Sequence, residues 1–252
     1  MSHLHIPDGI IPLPWIVLGL AATAVLVAFS VLALRRQDPV KVVPRIGVLA
    51  ALMLAAMSLP IPVLNYHVNL TVLAGIIAGP AQGFIGCLIA NVILALTGHG
   101  GITVVGINTV VTGIEVLVGW AVWTGLRRVV RRPFALAAAT TVIALALSTT
   151  AMLGVVAGTQ INPGLVRHAH EKPAVVNLEE QLIGEHIGED HGPEDNHPDD
   201  HPDEDAHGPL SLGTFAAVVY SAGMVGWAIE AAIIGAVAQF LARARPDLIG
   251  AL

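Results

Sequence analysis

Two imidazoles and the chain's amine fall within five positions at the start of the sequence, Met1-Ser2-His3-Leu4-His5-Ile6-Pro7-Asp8-Gly9. Nitrogen donors so close together suit a transition metal such as Ni²⁺ or Cu²⁺ and do not suit hard Mg²⁺ or Ca²⁺. The stub must bend, because Pro7 fixes φ and lacks an N–H while Asp-Gly favours a tight turn. His67 lies in a polar island, Asn65-Tyr66-His67-Val68-Asn69, and His99 in the turn Gly98-His99-Gly100-Gly101. Five more histidines, His186, His191, His197, His201 and His207, alternate with Asp and Glu. Pro193, Pro198 and Pro202 oppose regular helix there. That composition predicts a disordered tract, and His-rich acidic tracts collect divalent metal loosely. The competing readings are bland: a solvated terminus for the stub, a turn histidine for His99 and an acidic linker for the tract. No zinc-finger spacing occurs.

The elements that must position these groups are long apolar runs. The chain of 252 residues is 55% hydrophobic and only 12% charged, with a mean hydropathy of +0.76. Soluble domains carry about 25% charged residues, so the composition gives an integral membrane protein. Runs near 11–34, 46–64, 70–78, 84–96, 102–126, 134–156 and 212–242 predict an all-α bundle of about seven transmembrane helices. Prolines 60 and 62 end the second run, and Gly79-Pro80 separates the two short central ones, where tilted or partly re-entrant pieces are expected. Glycines 75, 79, 83, 86, 106, 113, 119, 223, 226 and 235 predict close helix–helix approach. The division expected is a metal-binding segment 1–10, helices over 11–158, an external His/Asp/Glu-rich loop 159–210, and a last helix with a tail over 211–252.

The charge is segregated. Thirteen of the 18 acidic residues lie between Glu171 and Asp205, and ten of the 12 basic residues cluster at 35–45, 127–132 and 243–245. With seven crossings, the positive-inside rule puts the N-terminus outside and the C-terminus in the cytoplasm of a multi-pass cell-membrane protein. All eleven histidines then share the outer side. Glu115 and Glu230 interrupt apolar runs, where a charge costs at least ~2.5 kcal/mol. They are expected to be buried and bonded to polar residues such as Asn108 or Gln239, or docked on a partner. Asn91 and Asn108 are candidates for interhelical hydrogen bonds. The single cysteine, Cys87, sits in an apolar run and forms no disulfide framework.

Leu4-His5-Ile6-Pro7-Asp8-Gly9 resembles the Met-His-Ile-Pro-Asp-Gly start of the CbiM/NikM family. Gly79-Pro80, Gly100-Gly101-Ile102-Thr103 and Gly106-Ile107-Asn108 resemble further family signatures in the same order. The likeness covers residues 4 to about 125 closely and the rest as hydropathy. Those proteins are the membrane substrate-binding components of energy-coupling-factor transporters for cobalt and nickel. The resemblance implies that the N-terminal segment folds into an outer pocket. There an amine, the next amide nitrogen and an imidazole hold the metal together with a second histidine near the third helix. His5 and His67 stand at the two histidine positions. The family's Gly-Gly-Thr-Ser-Gly-His context is replaced here by Val63-Leu64-Asn65-Tyr66-His67, and His99 stands where an acidic residue is common.

The chain departs from the family at its start, where Met1-Ser2-His3 precedes Leu4. Three ligand sets follow. Met1 amine, two amide nitrogens and His3 can wrap a square-planar ion. If Met1 is removed, Ser2-His3 recreates the amine–histidine pair. Otherwise His5 keeps its role through its side chain, with His67 and His3. If Leu4 were read as a start codon, the family terminus would be restored outright. Asp8 is expected either to orient His5 by accepting its second ring N–H or simply to form the turn.

The function expected is capture of Ni²⁺ or Co²⁺ as transported substrate, not catalysis. No G-x-x-x-x-G-K-[ST] occurs, so the resemblance implies a membrane coupling protein and a pair of cytoplasmic ATPases as partners, with the bilayer and without nucleic acid. A rival is a stand-alone secondary divalent-metal carrier. It would need more ionisable residues along its spans than Glu115 and Glu230. An intramembrane metalloprotease would need H-E-x-x-H, which is absent.

Overall fold

The structure, a computed structural model, describes residues 6, 8–61, 66–159 and 212–249. They hold six helices long and apolar enough to cross a membrane: α1 (Leu13–Leu34), α2 (Pro39–Ser58), α3 (Thr71–Leu96), α4 (Val105–Leu126), α5 (Pro133–Thr159) and α6 (Leu212–Ala244). Two short antiparallel strands, β1 (Pro60–Ile61) and β2 (Tyr66–His67), pair Pro60 with His67 and Ile61 with Tyr66. The protein is an all-α membrane protein. Prolines at the first turn of α1 and α2 sacrifice no helical hydrogen bond, and Asp38 caps α2 by accepting the Val40 N–H at 3.0 Å.

The runs 70–78 and 84–96, expected as two of about seven helices, lie in one element, α3. That element is sharply broken at Gly79, whose φ of 77° and ψ of 179° only glycine adopts readily, with Pro80 behind it. The break is a reversal. A Cβ on Gly83 would lie 3.3 Å from the Ala74 carbonyl, whereas residues nine apart on a straight helix are separated by about 13.5 Å. Gly75 and Gly83 both abut Val116 of α4, so the two pieces fold against each other on one turn of that helix.

The helices share the burial unequally. In the most apolar stretch of each, α3 and α4 bury 56% and 50% of residues but α1 only 17%. The first two therefore form the centre, and α1 presents Val17, Leu18, Val25, Phe29 and Leu32 outward. It meets α4 through small residues. A Cβ on Gly106 would lie 2.7 Å from the Leu20 nitrogen, and Thr23 donates to the Gly106 carbonyl at 2.8 Å.

Contacts sort the chain into two ends. At one, Asp8 meets Ile102 and Thr103, Trp15 lies against Gly158, and Phe215 packs on Met152 and Val156. At the other, Gln82 donates to Gln37 at 2.9 Å, the Trp123 indole donates to the Ile249 carbonyl, and Arg132 and Arg243 line one cavity. Arg245 pairs with Asp247, whose carboxyl lies below its ordinary value chiefly through that hydrogen bond and also feels Arg45. The three basic clusters thus gather at the end opposite Asp8.

Candidate metal centre

At the first end the segment after His5 is clasped to the start of α4. Ile6 is 1% exposed, among Ile11, Val104 and Ile107. Asn108 holds its backbone on both sides: the Ile6 N–H donates to Oδ1 at 3.1 Å, and Nδ2 donates to the Ile6 carbonyl at 3.2 Å. Gly101 N–H donates to the same carbonyl at 3.1 Å. Asp8 accepts from the Ile102 and Thr103 N–H groups, each at 2.8 Å, and from the Thr103 hydroxyl. A carboxylate there satisfies N–H groups of the turn that leads into α4 and sits at the positive end of that helix. Burial raises the Asp8 carboxyl, and these hydrogen bonds outweigh it, so the group lies below its ordinary value. Gly101 is required, because a Cβ would overlap Asp8.

Deeper in, His67 ends β2 and is half-buried. Its Nδ1 lies 2.6 Å from the Met57 carbonyl, one of the last four of α2 and hence without a helical donor. A carbonyl only accepts, so Nδ1 carries a proton, which in the neutral ring leaves the lone pair on Nε2. A ring oriented through one nitrogen in this way is the usual arrangement of a histidine metal ligand. The flanking residues reach the two buried carboxyls. Tyr66 donates to Glu230 at 3.0 Å; Asn69, at 2.5 Å, and Thr71 donate to Glu115, which also accepts from Ser148 at 2.6 Å.

Both carboxyls are buried and bonded to polar residues as expected, with Tyr66, Asn69, Thr71 and Ser148 as partners in place of the examples Asn108 and Gln239. Asn91 does bridge helices, donating to Thr112 at 2.8 Å, while Asn108 serves the N-terminal clasp. Both oxygens of Asp8 are engaged by α4's approach, which assigns it an anchoring contact; its expected contact with His5 lies outside the described residues. So do Met1, His3, His5, His186, His191, His197, His201 and His207. His99 is exposed in the turn after α3, at the end occupied by Asp8. Among the described residues no three His, Cys, Asp or Glu side chains converge as a metal site. The network around His67 was missed, although a polar island between apolar runs containing buried carboxyls was its signal.

Comparison with known proteins reaches the same residues. Residues 5–248 match the family model CbiM, described as the cobalt uptake substrate-specific transmembrane region. A protein of Geobacter sulfurreducens named cobalt transport protein CbiM is 33% identical over 134 residues, which is 50% of this chain and 38% of that protein. One of the same name from Sorangium cellulosum is 30% identical over 118 residues, 44% of this chain and 52% of that protein. The matched part thus spans about half or less of each relative's length. No solved structure matches. The family match begins at His5, just before the clasp, and runs past the last helix to Leu248: the chain belongs to the CbiM family.

Proposed function

We propose that the protein captures Co²⁺ or Ni²⁺ at a nitrogen-rich site and carries it across the membrane as the substrate-binding component of an energy-coupling-factor transporter. The observation that carries this is His67, its Nδ1 proton committed to Met57 so that Nε2 is the donor nitrogen. The family description and the relatives' names speak for cobalt; amine and imidazole donors suit Ni²⁺ equally. The remaining ligands are assigned to residues 1–5, with His5 at the family position, His3 and the amine of Met1 as its alternatives. The clasp on Ile6 supports this, because it ties the adjoining chain to the bundle.

The basic end faces the cytoplasm, so the clasp and His99 face outward. The first piece of α3 serves as the inner half of one pass, completed by the extended stretch before Thr71, and the second piece returns to the outer end as a pass of its own. The His-rich tract collects metal outside the membrane. A coupling protein and an ATPase pair supply the energy.

The test is calorimetric titration of detergent-purified full chain with Co²⁺ and Ni²⁺. His67→Ala should abolish tight binding. Severe loss in His5→Ala with mild loss in His3→Ala identifies His5 as ligand, and the reverse order identifies a wrapped terminus. Wild-type affinity in His67→Ala, or in the double change of His3 and His5, overturns the site. Sustained Co²⁺ uptake by cells lacking coupling subunits would support the carrier reading instead.

A further inference from the structure

Glu115 and Glu230 are fully buried near the middle of α4 and α6, where a carboxyl is costly to hold. The proposed transport reading gives neither of them a task. Their partners are concentrated on one stretch of six residues. Tyr66, the residue before His67, donates to Glu230; Asn69 and Thr71, two and four residues after it, donate to Glu115. Ser148 fastens the other oxygen of Glu115 to α5 at 2.6 Å. The two carboxyls therefore take hold of the chain on either side of His67 from two different helices, α4 and α6, with α5 bracing Glu115 through Ser148.

The stretch needs such a hold. Residues 68–70 belong to neither helix nor strand, so regular backbone bonding does not fix them. Leu70 has φ 58°, the one positive value outside glycine among the described residues. Leucine persists in that conformation only where its surroundings over-determine it. Here Asn69 Oδ1 accepts the Thr71 N–H at 2.9 Å and lies 2.8 Å from the Thr71 hydroxyl, whose single proton goes to Glu115 and closes the group. The Tyr66 ring fits only because residue 226 is glycine, whose Cβ would overlap it.

We infer that Glu115 and Glu230 are positioning residues for the metal, clamping both flanks of His67 so that its imidazole is presented at a fixed point. They act through the backbone of 66–71 and do not touch the ion. The inference rests on the reading of His67 as a ligand.

The experiment uses detergent-purified full chain with Co²⁺ as probe. It reads calorimetric affinity, the visible absorption of bound Co²⁺ and the melting of the metal-free protein. Tyr66→Phe and Glu115→Ala should each weaken binding about 10- to 100-fold, the range found when groups that orient a ligand are removed, and should shift the Co²⁺ spectrum. Glu115→Gln should recover part of both, since the amide oxygen still accepts from Asn69 and Thr71. Trp123→Leu, in the core at the opposite end, should lower melting but leave affinity and spectrum unchanged. If Glu115→Ala does not fold, Thr71→Val and Tyr66→Phe carry the test. Wild-type affinity and spectrum in the clamp variants, with binding lost in His67→Ala, overturn the positioning role alone. Binding retained in His67→Ala overturns the ligand reading and the positioning role with it. A loss that tracks melting as in Trp123→Leu also overturns it.

Discussion

Asn108→Ala probes whether the clasp matters to the metal. The substitution removes both hydrogen bonds between Asn108 and the Ile6 backbone, at 3.1 and 3.2 Å. The Ile6 carbonyl keeps the Gly101 N–H, so it loses one bond of two, about 0.5–1.5 kcal/mol. The Ile6 N–H loses the acceptor shown for it in a site with almost no exposure, which costs about 1–3 kcal/mol. Together these weaken docking of the segment by about 1.5–4.5 kcal/mol. If metal binding requires the docked segment, Co²⁺ affinity should fall by roughly 10- to 1,600-fold, since each 1.4 kcal/mol is a factor of ten. The loss is capped at the docking free energy, because an undocked segment gives its backbone to water. Calorimetric titration measures the affinity, and hydrogen exchange of the peptide containing Ile6 measures docking. Faster exchange at Ile6 with undiminished Co²⁺ affinity would refute the coupling between clasp and metal.

Gly226→Ala should lower the melting temperature in detergent, because its Cβ overlaps the Tyr66 ring and forces it off Glu230; overpacking of this kind costs about 1–3 kcal/mol. Gly79→Ala should destabilise by a similar ~1–3 kcal/mol for a different reason: the site has room, with Trp120 Cδ1 4.0 Å away, but the backbone conformation excludes alanine. Asp8 lies below its ordinary value when folded, so its contribution to docking is present above that value, near 3.9, and is lost as pH falls further. Exchange at Ile6 should therefore be constant from neutral pH down to about 5 and rise below about 4, whereas in Asp8→Asn it should already be raised at neutral pH and lack that rise, measured against the intrinsic exchange rate. Deleting residues 185–207 should leave tight Co²⁺ binding intact and lower uptake only at scarce metal; loss of the tight site on titration would make the tract a primary ligand source.

The membrane class and the position of each helix were legible because they depend on apolar length, which is local. The pause at Gly79-Pro80 was legible for the same reason. A reversal between two crossings was expected there; that Ala74 and Gly83 are the residues that meet was not legible, since it follows from the φ of 77° and ψ of 179° at Gly79. At the site, Asp8 and Gly101 were each visible as turn formers, but their meeting depends on the clasp closing over some ninety residues. Glu115 was visible as a misplaced charge, yet nothing local says that Asn69, Thr71 and Ser148 would supply its hydrogen bonds. Sequence shows which groups need partners, and the packing of distant helices decides which partners they receive.

The clasp also sets an order of events during synthesis. Ile6 leaves the ribosome early, but Asn108, 102 residues later, is its receptacle. At ~5–20 residues per second the segment waits about 5–20 s before that receptacle exists. The Tyr66–Glu230 contact spans 164 residues and closes later still. The nascent chain thus passes through a period in which its first residues have been delivered to one side of the bilayer with nothing yet to hold them. A ribosome stalled before α4 would yield an inserted but unclasped protein, and pausing just after α4 would let the terminus dock before the last helix arrives.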